Sequence, residues 1–417
     1  MRRAALASAL CAALLFAAPG AATLARAQPA PAVLAPTPYM GWDTYFALAG
    51  GFPESTILQQ ASLLKSSGLE ADGYRLIWLD AGWWQGQRDA AGNMAVSAKQ
   101  WPHGIAWLAS VLHQNGFKLG VYTDAGATGC GVKGGAFGHY QQDMNTLASW
   151  GVDAVKVDWC GGSSQGLDPA QTYAFIHTAI LNNSSHRPML LDICNFLQPG
   201  QKIPATNFPV FQQSAFFSYS FGPSDGQSWR TDTDVGVPGN VPFSSVLRNL
   251  DADATEPQAA GPDHWNDPDY LGPDQGMNAA QFRTQFSMWA MLAAPLMVSD
   301  NMTKISAASL STVTNKRVIA IDQDPAGAQG VEVSASGSGE VWGKPLIHSN
   351  LAIALLNRGS STISISTTAA ALANFGLPPA SSYHVTNLWS GAKSTSNGTF
   401  SAQVPAYSTI LLQVSAG

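Results

Sequence analysis

A chain of 417 residues is too long for one small core and suits a large domain with a smaller companion. Its formal net charge of -6 argues against nucleic acid or an anionic membrane surface as partner. A charged share of 12% leaves Ser, Thr, Asn and Gln to do much of the solvating, a texture common in exported proteins.

Residues 1–27 read as a cleavable signal peptide. Arg2 and Arg3 precede an apolar run from Ala4 to about Ala18, and Ala25-Arg26-Ala27 is an A-x-A cleavage site before Gln28. The competing reading, a membrane anchor, suits a longer run than this one. Cys11 lacks the preceding small residue of a lipoprotein signal. No other segment reaches the ~18–20 consecutive apolar residues of a spanning helix, so the mature protein is expected to be soluble and periplasmic or secreted. It keeps Cys130, Cys160 and Cys194, an odd count that leaves one thiol over where export permits disulfides. These cysteines lack C-x-x-C spacing, so neither metal nor cofactor is expected.

After a Pro/Ala-rich linker, 28–36, strand-like runs centre near Met40, Ile77, Leu119, Val155, Leu190, Arg230, Trp265 and Leu296. They lie roughly 31 to 42 residues apart, the size of one βα unit, and eight units predict a (βα)8 TIM barrel over 37–328. Between several runs lie helical patterns: Thr56 to Ser67 with Gly68 as stop signal, Tyr140 to Trp150 ending at Gly151, and the long apolar stretch Ala279 to Ala293. An open doubly wound sheet is the alternative. Chemistry at the strand ends favours the barrel, because most runs finish in a polar residue: Asp43, Asp80, Asp124, Asp158, Asn195, Asp234, Asp269 and Asp300. A barrel gathers such ends into one ring facing one pocket. From about Gln329 short alternating runs separated by Gly, Ser and Asn replace helical periodicity, predicting a small antiparallel β-sandwich over 329–417.

Two of the strand ends carry the chemistry. Lys156-Val157-Asp158 closes the apolar run that starts at Val152, with Lys156 two residues before Asp158 and therefore on the same strand face. There its ammonium is expected to hold Asp158 ionised. Asp234 lies past the end of the run near Arg230, where a loop brings it over a bound substrate. A glycosidic bond is commonly cleaved by two such carboxyls, so Asp158 is the candidate nucleophile and Asp234 the candidate acid/base. A lone aspartate in either place is as readily a cap or a turn residue. Among thirteen tryptophans most read as core, and only Trp83, Trp84 and Trp159 stand at strand ends as sugar-stacking candidates. His103 and His264 are read as structural hydrogen-bonders.

These residues resemble glycoside hydrolase family 27, the melibiase-type α-galactosidases. The likeness runs from Thr37-Pro38-Tyr39-Met40-Gly41-Trp42 through Leu79-Asp80, Gly120-Val121-Tyr122, Trp150-Gly151-Val152-Asp153, Lys156-Val157-Asp158, Trp265-Asn266-Asp267-Pro268-Asp269 and Ala293-Ala294-Pro295-Leu296 to Ile319-Ala320-Ile321-Asp322-Gln323-Asp324-Pro325. The resemblance implies a retaining hydrolase with Asp158 as nucleophile and Asp234 as acid/base, using no metal. It places Asp80, Tyr122, Lys156, Arg230 and Asp269 against the sugar, and joins Cys130 to Cys160. Its departures fall on sugar-reading positions. Asp80-Ala81 stands where the family has two aspartates, Tyr45 is the aromatic platform in place of Trp, and Cys194-Asn195-Phe196 replaces Cys-Glu-Trp. Asn195 still offers a neutral hydrogen bond to a hydroxyl, and Cys194 is expected as a buried free thiol. The expected partner is an oligosaccharide or polysaccharide ending in α-galactose. The alternatives are an isomaltose-type α-glucoside, a β-L-arabinopyranoside, or a non-catalytic carbohydrate-binding protein.

Overall fold

The structure, a computed structural model, describes residues 33–195 and 217–417. The expected signal peptide, most of the linker and Phe196 lie outside the described residues. Eight parallel strands follow one another: β1 Met40–Asp43, β2 Leu76–Leu79, β3 Lys118–Asp124, β4 Ala154–Asp158, β5 Leu190–Cys194, β6 Ser228–Arg230, β7 Trp265–Asp267 and β8 Leu296–Val298. Each expected centre falls inside its strand. The sheet runs β7-β6-β5-β4-β3-β2-β1-β8, and the gap between β7 and β8 is bridged by a parallel pairing of Leu271 with Val298. The strands thus curl into the predicted (βα)8 barrel. Runs such as Leu76-Ile77-Trp78-Leu79 are apolar throughout because both faces are covered, one by the barrel interior and one by helices.

Helix ends differ from the expected ones by one or two residues, as cap chemistry dictates. The helix Glu54–Ser66 begins two residues early, directly after Pro53, and stops before Gly68, whose φ of +86° ends the turn. The helix Ala279–Leu292 opens on a capping box in which Asn278 accepts from the Gln281 N–H while the Gln281 side chain accepts from Asn278. It ends at Ala293, whose φ is +55°.

The C-terminal strands are β9 Val331–Ser336, β10 Gly339–Pro345, β11 Leu351–Asn357, β12 Ile363–Thr368, β13 Tyr383–Asn387, β14 Lys393–Ser396, β15 Thr399–Val404 and β16 Ser408–Ala416. Six form an antiparallel sheet, β14-β13-β16-β11-β10-β9, and β12 pairs with β15. Every residue of β11 is buried, and its alternation explains why. Leu351, Ile353 and Leu355 face the sandwich core, whereas Ala352, Ala354 and Leu356 join the barrel core. The helix Ala279–Leu292 is the shared wall: Thr284 Oγ1 donates to the Tyr407 carbonyl (3.1 Å) and Ser287 Oγ accepts from Trp389 Nε1 (3.0 Å). Thr368 caps a single short turn over Ala369–Leu372, too brief to carry helical periodicity. Among the described residues no helix is long and apolar enough to cross a membrane.

Candidate active site

The strand C-termini open onto a cavity of about 180 Å³. That is below the ~300–1,000 Å³ of a drug-sized site and fits a single sugar ring. Asp158 and Asp234 both line it, as do Tyr45, Asp80, Tyr122, Lys156, Arg230 and Asp269. A larger depression of about 670 Å³ lies away from the strand ends, lined by Arg283, Lys316, Arg317 and Trp389 but by no carboxylate. Size therefore does not select the site; convergent carboxylates do.

Strand register builds the floor. Tyr122, Lys156 and Asp192 stand in line across β3, β4 and β5, and two residues further along Asp124, Asp158 and Cys194 form the next row. A period of two keeps both rows on one face of the sheet. Lys156, however, does not pair with Asp158. Its ammonium donates to Asp80 Oδ2 (2.8 Å) and to the Tyr270 hydroxyl (2.7 Å), and it acts on Asp158 only through space. Asp158 is held instead by the Tyr122 hydroxyl on Oδ2 and the Trp159 N–H on Oδ1, each at 2.8 Å. Burial pushes the Asp158 carboxyl above the ordinary aspartate range, the Lys156 charge opposes that, and the charge of Asp234 adds to it. At Asp80 burial also pushes upward, but Lys156 and the Ala81 N–H and Tyr270 hydroxyl bonds outweigh it, leaving Asp80 below the ordinary range.

The opposite wall is organised by Arg230, fully buried at the end of β6. Its Nη2 reaches Asp234 Oδ1 (2.8 Å) and Asp269 Oδ2 (2.9 Å), holding the acid/base candidate four residues on, whose side chain is half exposed. Asp269 has a φ of +87°, a left-handed conformation that non-glycine residues adopt only when surroundings enforce it. Asp267 Oδ1 accepts from the Asp269 N–H (2.8 Å), and the Asp269 carboxylate accepts from Tyr270 N (2.7 Å) and Val235 N (2.6 Å). Burial raises Asp269 to about 7, with Arg230 opposing and Asp234 and Asp267 adding to the rise.

A disulfide joins Cys130 to Cys160 at the rim, with the Cα atoms 5.2 Å apart. Beside it the loops after β3 and β4 touch: a Cβ on Gly126 would stand 2.1 Å from the carbonyl carbon of Gly161, so this approach requires glycine. Asp124 accepts from the N–H groups of both glycines, and burial followed by the Asp158 charge raises it to about 7. The Cys130 N–H donates to the Tyr122 hydroxyl (3.1 Å), which in turn donates to Asp158, so the bridged loop sets the nucleophile candidate's hydrogen bond. Asp124, Asp158 and the two bridged sulfurs cluster within 4.8 Å of one another, but sulfurs joined to each other offer no thiolate ligand.

Other expectations fare differently. Asn195 is buried at the end of β5, its carbonyl accepting from Ser218 Oγ, and it is not among the residues lining the cavity. The ring of strand-end carboxylates is only half turned inward. Asp43, Asp124 and Asp300 do not line the cavity; they accept from backbone N–H groups, at Tyr45, at Gly126 and Gly161, and at Asn301 respectively. Trp83, Trp84 and Trp159 are buried and serve packing: Trp83 Nε1 donates to the Tyr122 carbonyl, Arg88 stacks on Trp84, and Trp159 stacks on Tyr173. His103 binds Glu54 Oε1 (2.7 Å) and His264 sits by the Gly226 carbonyl, away from the cavity. Cys194 is a buried free thiol, 3.9 Å from Arg230 Nη1. Tyr270 was not foreseen; its one signal is that it directly follows Asp269 in the Trp265–Asp269 motif.

The family model for alpha galactosidase A matches residues 50–324, and that for the alpha galactosidase C-terminal beta sandwich domain matches 336–414. "Alpha-galactosidase A" of Cellvibrio japonicus is 35% identical over 337 residues, 79% of this chain and 78% of its own. "Alpha-galactosidase 2" of Arabidopsis thaliana is 34% identical over 85% of this chain and 83% of its own. The crystal structure of alpha-galactosidase I from Mortierella vinacea superposes with a TM-score of 0.81 at 26% identity, covering 92% of this chain and 98% of that one.

Proposed function

The chain belongs to the α-galactosidase A family of melibiase-type glycoside hydrolases, and from that premise we propose that it hydrolyses terminal α-galactosides with retention of configuration. The observation that carries this reading is the convergence of Asp158 and Asp234, from two separate strand ends, on one ring-sized cavity. Asp158 attacks the anomeric carbon while Asp234 protonates the departing oxygen; water, deprotonated by Asp234, then releases the sugar from the aspartyl ester. The two roles differ as their surroundings do. Asp158 is buried and fixed by two donors, as an in-line nucleophile requires, whereas Asp234 stands at the mouth where leaving group and water pass. Asp80, Lys156, Arg230 and Asp269 supply charged partners for hydroxyls, Asp80 through the capacity its ion pair leaves over. Tyr45, partly exposed on the wall, offers its ring to the apolar face of the sugar. We assign the barrel to 37–328 and the sandwich to 329–417, and read residues 1–27 as an export signal, with the mature protein acting outside the cytoplasm.

A panel of aryl glycosides tests the reading. Turnover of the α-galactoside well above that of the α-glucoside and the β-L-arabinopyranoside is expected. Ala81 gives the β-L-arabinopyranoside its interest, because a methyl group lines the wall where the family has a carboxylate for a galactose hydroxyl. Turnover of the arabinopyranoside alone removes the galactose assignment and keeps the mechanism. Binding without turnover of any member supports a lectin-like protein.

The donors on Asp158 make a second expectation. Tyr122→Phe removes a hydrogen bond that favours the charged carboxylate, so the acid limb of kcat/KM moves to higher pH. A bond to a charged group is worth about 1.5–3 kcal/mol, so kcat/KM falls by about tenfold or more on the acid limb and by less on the plateau above it. An acid limb that stays in place contradicts this role for Tyr122.

A further inference from the structure

We propose that Tyr270 is a specificity-determining residue, one that fixes which sugar hydroxyls Asp80 and Lys156 are able to read. The proposal rests on the reading of this cavity as a galactosidase sugar site and adds a residue to it. Tyr270, buried just after β7, points its hydroxyl into the cavity wall. That hydroxyl donates to Asp80 Oδ2 (2.8 Å) and accepts from Lys156 Nζ (2.7 Å), while Lys156 also donates to the same Asp80 oxygen (2.8 Å). The three groups close a triangle in which every proton has one direction. Lys156 is a cation and holds three donors, Asp80 is an anion, and a phenol between them has one donor and one vacancy to give.

The consequence is a count of what remains for a ligand. Asp80 Oδ2 already takes two donors and Oδ1 takes the Ala81 N–H (2.6 Å). Lys156 has used two of its three N–H groups. What faces the cavity is about one N–H donor and one carboxylate acceptor at a fixed spacing, which suits two neighbouring hydroxyls of set orientation rather than any hydroxyl within reach. The ring is fixed too: the Lys156 ammonium sits 4.5 Å from its centroid, and Phe46 packs on it edge-on with centroids 6.3 Å apart. At the neighbouring position Ala81 contributes no polar atom beyond its backbone, so Tyr270 is the neutral group that orders this corner. A site that commits its polar groups in advance rejects an epimer more strongly than one whose groups swing to meet it.

The test compares wild type and Tyr270→Phe on aryl α-galactoside and on its C4 epimer, the aryl α-glucoside. Phenylalanine keeps the ring and both aromatic contacts. The expected result is a KM for the galactoside raised about tenfold, kcat within about threefold, and a galactoside-to-glucoside ratio of kcat/KM lowered about tenfold. Tyr74→Phe serves as control: it removes another buried hydroxyl, bonded to the Val313 carbonyl far from the cavity, and leaves KM and the ratio unchanged. An unchanged ratio in Tyr270→Phe, or a fall in kcat with KM constant, overturns the proposal. If that variant does not fold, Tyr270→His and Tyr270→Leu replace it; a ratio higher in His, which keeps a ring N–H, supports the proposal, and equal ratios reject it. Should the wild type prefer another glycoside, the galactoside reading fails, and the same comparison on the preferred sugar and its epimer still decides the role of Tyr270.

Discussion

Asp158→Ala lowers kcat on an aryl α-galactoside by about 10⁴-fold or more, a loss of about 5.5 kcal/mol of transition-state stabilisation. The size follows from the role: without the carboxylate no covalent intermediate forms, and general acid assistance alone has no nucleophile to assist. Folding is not the cause of the loss, because Asp158 is a buried group whose ionisation is already opposed by desolvation, so Tm is expected to hold or rise. Asp234→Ala behaves differently. An aryl group leaves without much protonation, so the variant releases a burst of phenol and then stalls on the glycosyl-enzyme. Azide separates the two roles. Small enough for the space vacated by either side chain, it attacks the substrate directly in Asp158→Ala and gives the β-galactosyl azide by one inversion. In Asp234→Ala it attacks the intermediate and gives the α-azide by two. Products of the same anomeric form from both variants reject the assignment of roles.

The barrel was legible because most staves announce themselves twice, once as a largely apolar run covered on both faces and once as a polar residue at the end, as in β2, β3 and β4. The sandwich was legible only in part. β10, β11 and β16 carry apolar residues that are buried, whereas β13 and β14, Tyr-His-Val-Thr-Asn and Lys-Ser-Thr-Ser, lie towards one edge of the six-stranded sheet and bury little. Polar sequence of that kind does not distinguish a strand from a loop. In the site, sequence placed the groups but not their partners. A spacing of two put Lys156 and Asp158 on one face correctly, yet an ammonium on a four-carbon stem bonds to whatever anion lies in reach, and that anion came from β2. Tyr270 escaped notice for the same reason: its function is defined by Asp80 and Lys156, 190 and 114 residues away in sequence. Tryptophans at strand ends misled in the other direction, since the small cavity leaves the large rings to the core.

Arg230→Met destabilises the protein by about 3–5 kcal/mol near neutral pH, and the penalty shrinks as the solution is made acidic. Arg230 is a cation buried among carboxylates: Asp269 and Asp234 touch its Nη2, and Asp267 lies near enough to favour its charge. Methionine matches much of its length but leaves the buried Asp269 and Asp267 without that charge, with Lys156 already committed to Asp80. The pH dependence has a definite sign. Burial has raised Asp269 to about 7 and Asp267 to about 6 even with Arg230 present, both above the ordinary aspartate value of 3.8. Arg230 lowers both, so removing it raises them further and the folded variant binds protons more tightly than the unfolded chain. A group raised in the folded state loses stability as pH climbs from its unfolded value through its folded one, and recovers it on acidification. At pH 8 both carboxylates are charged in the unfolded variant, and the folded one must either hold them charged without Arg230 or bind protons against the pH; at pH 5 the folded variant holds the protons and the deficit is relieved. Melting temperatures of wild type and Arg230→Met are therefore expected to lie furthest apart at pH 8 and to approach each other at pH 5. A gap that is constant, or that widens in acid, means that Arg230 stabilises by shape rather than by charge.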